Sequence, residues 1–199
     1  MSEESLDEFL SGVPVNVFSN PRKLLRVLRE AYTCGVPALI AKSMTDRLAA
    51  ASGDAFHLGT PDPTMRRIAS WLFTNVDDFD MLSELVVKLW RRHGREDIKL
   101  AGLMMANLPQ DPWHLFLSIL HEKEAIESLL EVIEEIGRGG HAAPPLSHLQ
   151  KWIDKGGIYY QTAMLILHGR GSDIPEEVVR AAPPGGDIFE RIRSRLLLE

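Results

Sequence analysis

The segment DDFDMLSELVVKLWRRHGREDIKLAGLMMANLP, residues 77–109, decides the fold class. Leu82, Leu85, Val86, Leu89 and Trp90 recur at steps of three and four, which places them on one face of a helix. His93-Gly94 supplies a turn, and Ile98, Ala101, Met104, Met105 and Leu108 renew the same period until Pro109 stops it. Two apolar stripes separated by so short a turn read as a helix pair that folds back on itself.

The same pattern extends in both directions. On the amino-terminal side, Asn20-Pro21 is a cap followed by a proline at the first helical position, and Leu24, Leu25, Leu28 and Tyr32 form one stripe. Gly35 and Pro37 end that helix; a second carries Leu39, Ile40, Met44 and Leu48 as far as Gly53. The stretch from Gly59 to Thr64 interrupts, and Ile68, Trp71 and Leu72 resume. On the carboxyl-terminal side, Asp111-Pro112 repeats the cap-plus-proline start ahead of Trp113, Phe116, Leu117 and Leu120. Ile126, Leu129, Leu130, Ile133 and Ile136 follow, then a glycine- and proline-rich loop over residues 137–145. Leu149, Trp152 and Ile153 face inward from one short helix, and Gly156-Gly157 leads to Tyr159, Ala163 and Ile166 on its partner. Residues 183–186 set off a last helix. No stretch alternates with period two. The expectation is an all-α chain of about ten helices: an irregular array of antiparallel helix pairs, a HEAT-like α-α superhelix without strict sequence repeats. It reads as one helical-repeat domain over residues 1–199, with 172–199 as a carboxyl-terminal extension.

Composition narrows the class. At 199 residues the chain can bury most of its apolar surface without staples, and its one cysteine, Cys34, allows no intrachain disulfide. The amino terminus MSEESLDE is acidic where a secretory leader is basic, and no apolar run approaches the roughly 20 residues of a membrane span. A cytoplasmic protein with no membrane partner is expected. A formal charge of −6 disfavours a general polyanion binder but leaves room for a local basic face.

Few motifs carry chemistry. GRGG at 137–140 and HGRG at 168–171 lack the preceding strand and the lysine-hydroxyl pair of a phosphate loop, so they read as turns. The seven histidines, His114 and His121 among them, form no zinc-ligand pattern, and no metal or other cofactor is expected. Cys34 has no activating base nearby in sequence. The basic residues are better organised: Arg22, Arg26 and Arg29 share one helical face, and Lys88, Arg91, Arg92 and Arg95 share another. Both stripes suit the phosphates of a nucleic-acid backbone. Glu127, Glu131 and Glu134 also share a face, where a carboxylate held near apolar groups can act as a general base.

These residues resemble a family. The run from Leu58 to Ala69, then Leu89-Trp90, then Arg95 to Ala101, is similar to the HEAT-like-repeat DNA alkylation repair proteins, the AlkD-like family. Gly59, Pro63, Arg66, Leu89, Trp90, Glu96 and Ala101 occupy the corresponding places, and Trp152 with Tyr159 resembles a later aromatic pair, over roughly residues 55–170. The resemblance implies a basic surface cradling duplex DNA, with a carboxylate and aromatic side chains around an alkylated base that is released hydrolytically. The chain departs from it at the catalytic segment: residues 126–133 read IESLLEVI, with Glu131 nearest the family's aspartate, and Gln161 or Thr162 stands where an arginine belongs. Lengthening the carboxylate and losing a phosphate clamp both lower catalytic rate.

Three readings follow. The first is a catalytically degenerate DNA-binding relative; the second, a protein-interaction scaffold whose partner is another protein. The third is an active N-alkylpurine glycosylase with Glu131 as the catalytic residue and Trp90, Trp113, Trp152 and Tyr159 as base-proximal aromatics.

Overall fold

A computed structural model describes residues 3–44, 55–169 and 174–198. Leu48, Gly53 and residues 170–171 of the expectations above lie outside them. Among the described residues the chain is all-α, with twelve α-helices and no strand. It divides into two compact units, Met1–Pro109 and Gln110–Glu199.

The first unit contains α1 (Glu3–Ser11), a 3-10 turn (Val15–Val17), α2 (Pro21–Thr33), α3 (Ala38–Met44), α4 (Asp62–Asn75), α5 (Phe79–Arg92) and α6 (Arg95–Met105). Its helix starts follow from local chemistry. Asn20 Oδ1 accepts from the amides of Arg22 and Lys23 at 3.0 and 3.2 Å, and Asp78 Oδ1 accepts from Met81 N at 3.0 Å. His93 ends α5 in the left-handed conformation, φ 49°, so α6 starts two residues later and packs back on α5. Every residue of α6 from Glu96 to Met105 is buried. It contacts α4 and α5, while α2 packs on α1, α4 and α5.

Two details differ from the expected pattern. The helix expected after the Gly59–Thr64 interruption begins inside it, at Asp62, because Pro63 at the first turn needs no amide partner there. Helix α3 has no buried residue, and its Leu39 and Ile40 are exposed instead of forming a stripe.

The second unit contains α7 (Pro112–Ile119), α8 (Ile126–Arg138), α9 (Leu146–Lys155), α10 (Gly157–Gly169), α11 (Glu176–Ala181) and α12 (Gly186–Leu196). Asp111 caps α7, accepting from Trp113 N at 3.0 Å. Helix α10 is buried at Ile158 and from Tyr160 to Leu167 and packs on α8 and α9. Two side chains of α10 hold the segment that follows it: Tyr160 Oη donates to Val178 O at 2.7 Å and Gln161 Nε2 to Pro184 O at 2.7 Å. Arg193 of α12 donates to the carbonyls of Val179 and Arg180 at 3.1 and 2.8 Å, satisfying the end of α11. Among the described residues, no helix is long and apolar enough to cross a membrane.

Candidate anion site in the first unit

Helix α6 opens with Glu96 and Asp97, both fully buried. Carboxylates are tolerated there only if they find donors, and they find them outside their own helix. Glu96 Oε1 accepts three successive amides, Leu58 N at 2.9 Å, Gly59 N at 3.0 Å and Thr60 N at 3.3 Å. That convergence needs the positive φ of Gly59, +80°, which turns consecutive amides toward one point. Thr60 Oγ1 donates to Tyr32 O at 2.8 Å and so ties the same segment to the end of α2.

Phe56 sits upstream on this strap. Ala55 N donates to His93 O at 2.7 Å and Arg95 N to Phe56 O at 2.9 Å, an isolated bridge around Gly94. The Phe56 ring points into the space a side chain would fill at Gly94, where a β-carbon would lie 2.0 Å from Phe56 Cζ. Across the ring face lies the Arg29 guanidinium, 3.7 Å from the centroid, and Arg92 lies at 5.6 Å.

Beneath these arginines sits Asp97. Its Oδ1 accepts the Tyr32 hydroxyl at 3.0 Å, and its Oδ2 lies 2.9 Å from Arg92 Nε. The second contact is a charge pair off the N–H axis, so Oδ2 has no hydrogen bond. Burial pushes the Asp97 carboxyl from its ordinary 3.8 up to about 6, against the pull of Arg92, the Tyr32 hydrogen bond and Arg29. Burial also raises the Tyr32 phenol, with Asp97's charge adding to the effect. Arg92 is anchored further by Nη1 donating to Leu25 O at 3.1 Å.

Leu25, Arg26, Arg29, Glu30, Phe56 and Arg92 line an open groove of about 460 Å³. Arg26, Arg29 and Arg92, taken from the two basic stripes, therefore meet in one place, with Glu30 as the acid on the rim. The remaining basic residues stand elsewhere. Arg22 is exposed one turn before Arg26 on α2, Arg91 is exposed, and Arg95 is half-buried. Lys88 pairs with Glu84 at 3.1 Å. Charge is distributed in keeping with this: residues 1–109 hold 13 Lys and Arg against 14 Asp and Glu, and residues 110–199 hold 9 against 14, so most of the acid excess lies in the second unit.

None of the candidate catalytic and aromatic residues lines this groove. Trp90 is in the core of the first unit with no exposed surface, its ring 6.2 Å from that of His93. Glu131 is half-buried on α8. Trp113 is buried and its Nε1 donates to Ala142 O at 2.8 Å. Trp152 and Tyr159 are half-buried on α9 and α10, and Lys155 Nζ lies 3.2 Å over the Tyr159 ring. Trp90 and Trp113 thus have little surface to offer a base.

Sequence reasoning passed over Tyr32, Phe56 and Asp97. Asp97 in an opening helical turn resembles an ordinary solvated acid, and only the apolar period of Ile98 to Met105 on its own helix hinted at deep burial. No family model matches this chain, and neither a curated protein nor a solved structure does.

Proposed function

We propose that the first unit binds the phosphate backbone of duplex DNA without reading its sequence, with Arg26, Arg29 and Arg92 as the contacts, and that the chain does not act as a glycosylase. The observation that carries this reading is that three arginines, Arg26, Arg29 and Arg92, line one solvent-open groove, the last two with their guanidinium groups beside the Phe56 ring. Guanidinium is always charged and suits phosphate through paired donors. Along α2, the 1.5 Å rise per residue spreads Arg22, Arg26 and Arg29 over about 10 Å, about three nucleotide steps of one strand. Assignment of helix pairs such as α5–α6 and α9–α10 to HEAT-like repeats related to the alkylation-repair proteins belongs to the same proposal.

Against catalysis stands the burial of Trp90 and Trp113, which leaves little ring surface for a base. A scaffold for a protein partner draws its support from the exposed Leu39 and Ile40 of α3, 84% and 49% accessible.

The test is anisotropy of a fluorescein-labelled duplex titrated with the protein across about 50–200 mM salt. Three phosphate contacts give a slope of log K against log salt of roughly −3, and Arg29→Ala reduces its magnitude by about one. Binding that ignores salt, or that survives Arg26→Ala and Arg29→Ala together unchanged, overturns the proposal and leaves the scaffold reading in front.

A further inference from the structure

Asp97 is a second anion already in place under the groove. It faces Arg92 directly, and Arg29 acts on it from α2. The other ionisable groups around it are Tyr32 on α2, which donates to it, and Glu96 beside it on α6, which repels it. On the α4 side of α6, Lys99 Nζ lies 2.7 Å from Asp62 Oδ1, a pair in which each charge meets its opposite. Any phosphate that enters the groove must share the guanidinium groups that now steady this carboxylate. Two anions sharing Arg29 and Arg92, one of them the buried Asp97, is the arrangement that electrostatics resists.

We propose that Asp97 is an internal counter-anion of the groove: a phosphate seated on Arg29 and Arg92 drives Asp97 to take up a proton from solution, so binding strengthens as the medium is acidified. The inference rests on the nucleic-acid reading above and adds its regulation. Protonation leaves Asp97 neutral, still beside the Tyr32 hydroxyl, and turns the Arg92 guanidinium outward in charge although not in position. The raised carboxyl, at about 6 before any ligand arrives, puts this exchange within reach of mildly acid conditions. Phosphodiester charge is constant over that range, so a duplex reports on the protein's proton and not its own.

His57 and His93 neighbour Phe56 and Arg92 in the chain, and histidine is the side chain that most often carries a pH switch. The experiment therefore uses a His57→Gln, His93→Asn background, asparagine being a residue that accepts the left-handed backbone at 93. Duplex affinity is measured by anisotropy at constant ionic strength from about pH 7.5 to about pH 5.5, where linkage predicts roughly fivefold tighter binding at the acid end. In the same background Asp97→Asn loses the pH dependence and binds at about pH 7.5 as tightly as its parent does at about pH 5.5. Tyr32→Phe removes a hydrogen bond that favours the carboxylate and moves the midpoint to higher pH; it carries the test if Asp97→Asn does not fold. A retained fivefold change in Asp97→Asn, or an unmoved midpoint in Tyr32→Phe, overturns the inference while leaving groove binding intact. Affinity that depends on neither Arg29 nor Arg92 at any pH removes the nucleic-acid reading, and this inference with it.

Discussion

Helices α6 and α10 are each the buried helix of their unit, and they solve burial in opposite ways. Helix α6 encloses three ionisable residues, Glu96, Asp97 and Lys99, each 3% accessible or less. Helix α10 encloses no Asp, Glu, Lys or Arg from Ile158 to Leu167; its buried polar groups are the Tyr160 hydroxyl, which donates to Val178 O, Gln161 and Thr162. Thr162 is satisfied within its own helix, donating to Ile158 O at 2.8 Å, and Gln161 by a nearby carbonyl. The charges of α6 instead recruit partners from four other places: amides 58–60, Tyr32, Arg92 and Asp62. A buried charge forces remote segments together because leaving it unmatched costs several kcal/mol, whereas a neutral amide needs one acceptor. The first unit is therefore organised by electrostatics at one end of one helix, the second by packing along the whole of one.

The sharpest way to break this comparison is Glu96→Ala. It strands the buried amides of Leu58 and Thr60 and the half-buried one of Gly59, and urea denaturation is expected to show a loss of about 3–5 kcal/mol. A loss under about 1 kcal/mol would mean water reaches residues 58–60 freely and the strap is not held by Glu96.

Acid titration comes next in size. The folded-state Asp97 carboxyl stands at about 6 against an ordinary 3.8, so the folded protein binds its proton more tightly than the unfolded chain does. The resulting destabilisation is absent below about pH 4, where both states are protonated, grows between about pH 4 and 6, and is complete above, on the order of 3 kcal/mol. Asp62 works in the other direction: its side-chain hydrogen bond from Lys99 lowers it, and its contribution disappears as pH falls through its folded-state value. The difference between the wild type and Asp97→Asn isolates Asp97. Stability of Asp97→Asn relative to wild type should rise with pH across that window, and a flat difference would show that Asp97 is solvated.

Smaller still is Gly94→Ala, which drives a methyl into the Phe56 ring and is expected to cost about 1–3 kcal/mol. Its counterpart Gly169→Ala, on α10, meets only Ile133 Cγ2 at 3.8 Å and should stay within about 0.5 kcal/mol of wild type by thermal denaturation. The smallest effect belongs to Gln161→Ala, about 1 kcal/mol for the bond to Pro184 O, with no pH dependence.

The same contrast governs what the sequence made legible. Helix starts at Asn20 and Asp111 were readable because a cap and its amide partners lie within three residues. The α5–α6 pair was readable because its apolar period and its His93-Gly94 turn are local. The six-residue α11, with Val179 as its buried residue, is too short to show a period. The candidate groove was half legible. Its arginines stand on helical faces that spacing defines, but the pairing of one from α5 with two from α2 depends on how those helices meet. Phe56 and Asp97 were hidden for a stricter reason: their partners, Gly94 and Arg29 for one and Tyr32 and Arg92 for the other, include residues 27 to 65 positions away, and nothing local announces them.

The Glu96 contact has a consequence for solvent isotope exchange. Leu58, Gly59 and Thr60 lie outside any helix, where amide protons ordinarily exchange with deuterium in little time. All three are held by one oxygen, so they are released together or not at all. In a pulse of heavy water they should form a slow trio in an irregular stretch, exchanging at one shared rate set by how often the start of α6 detaches from its strap.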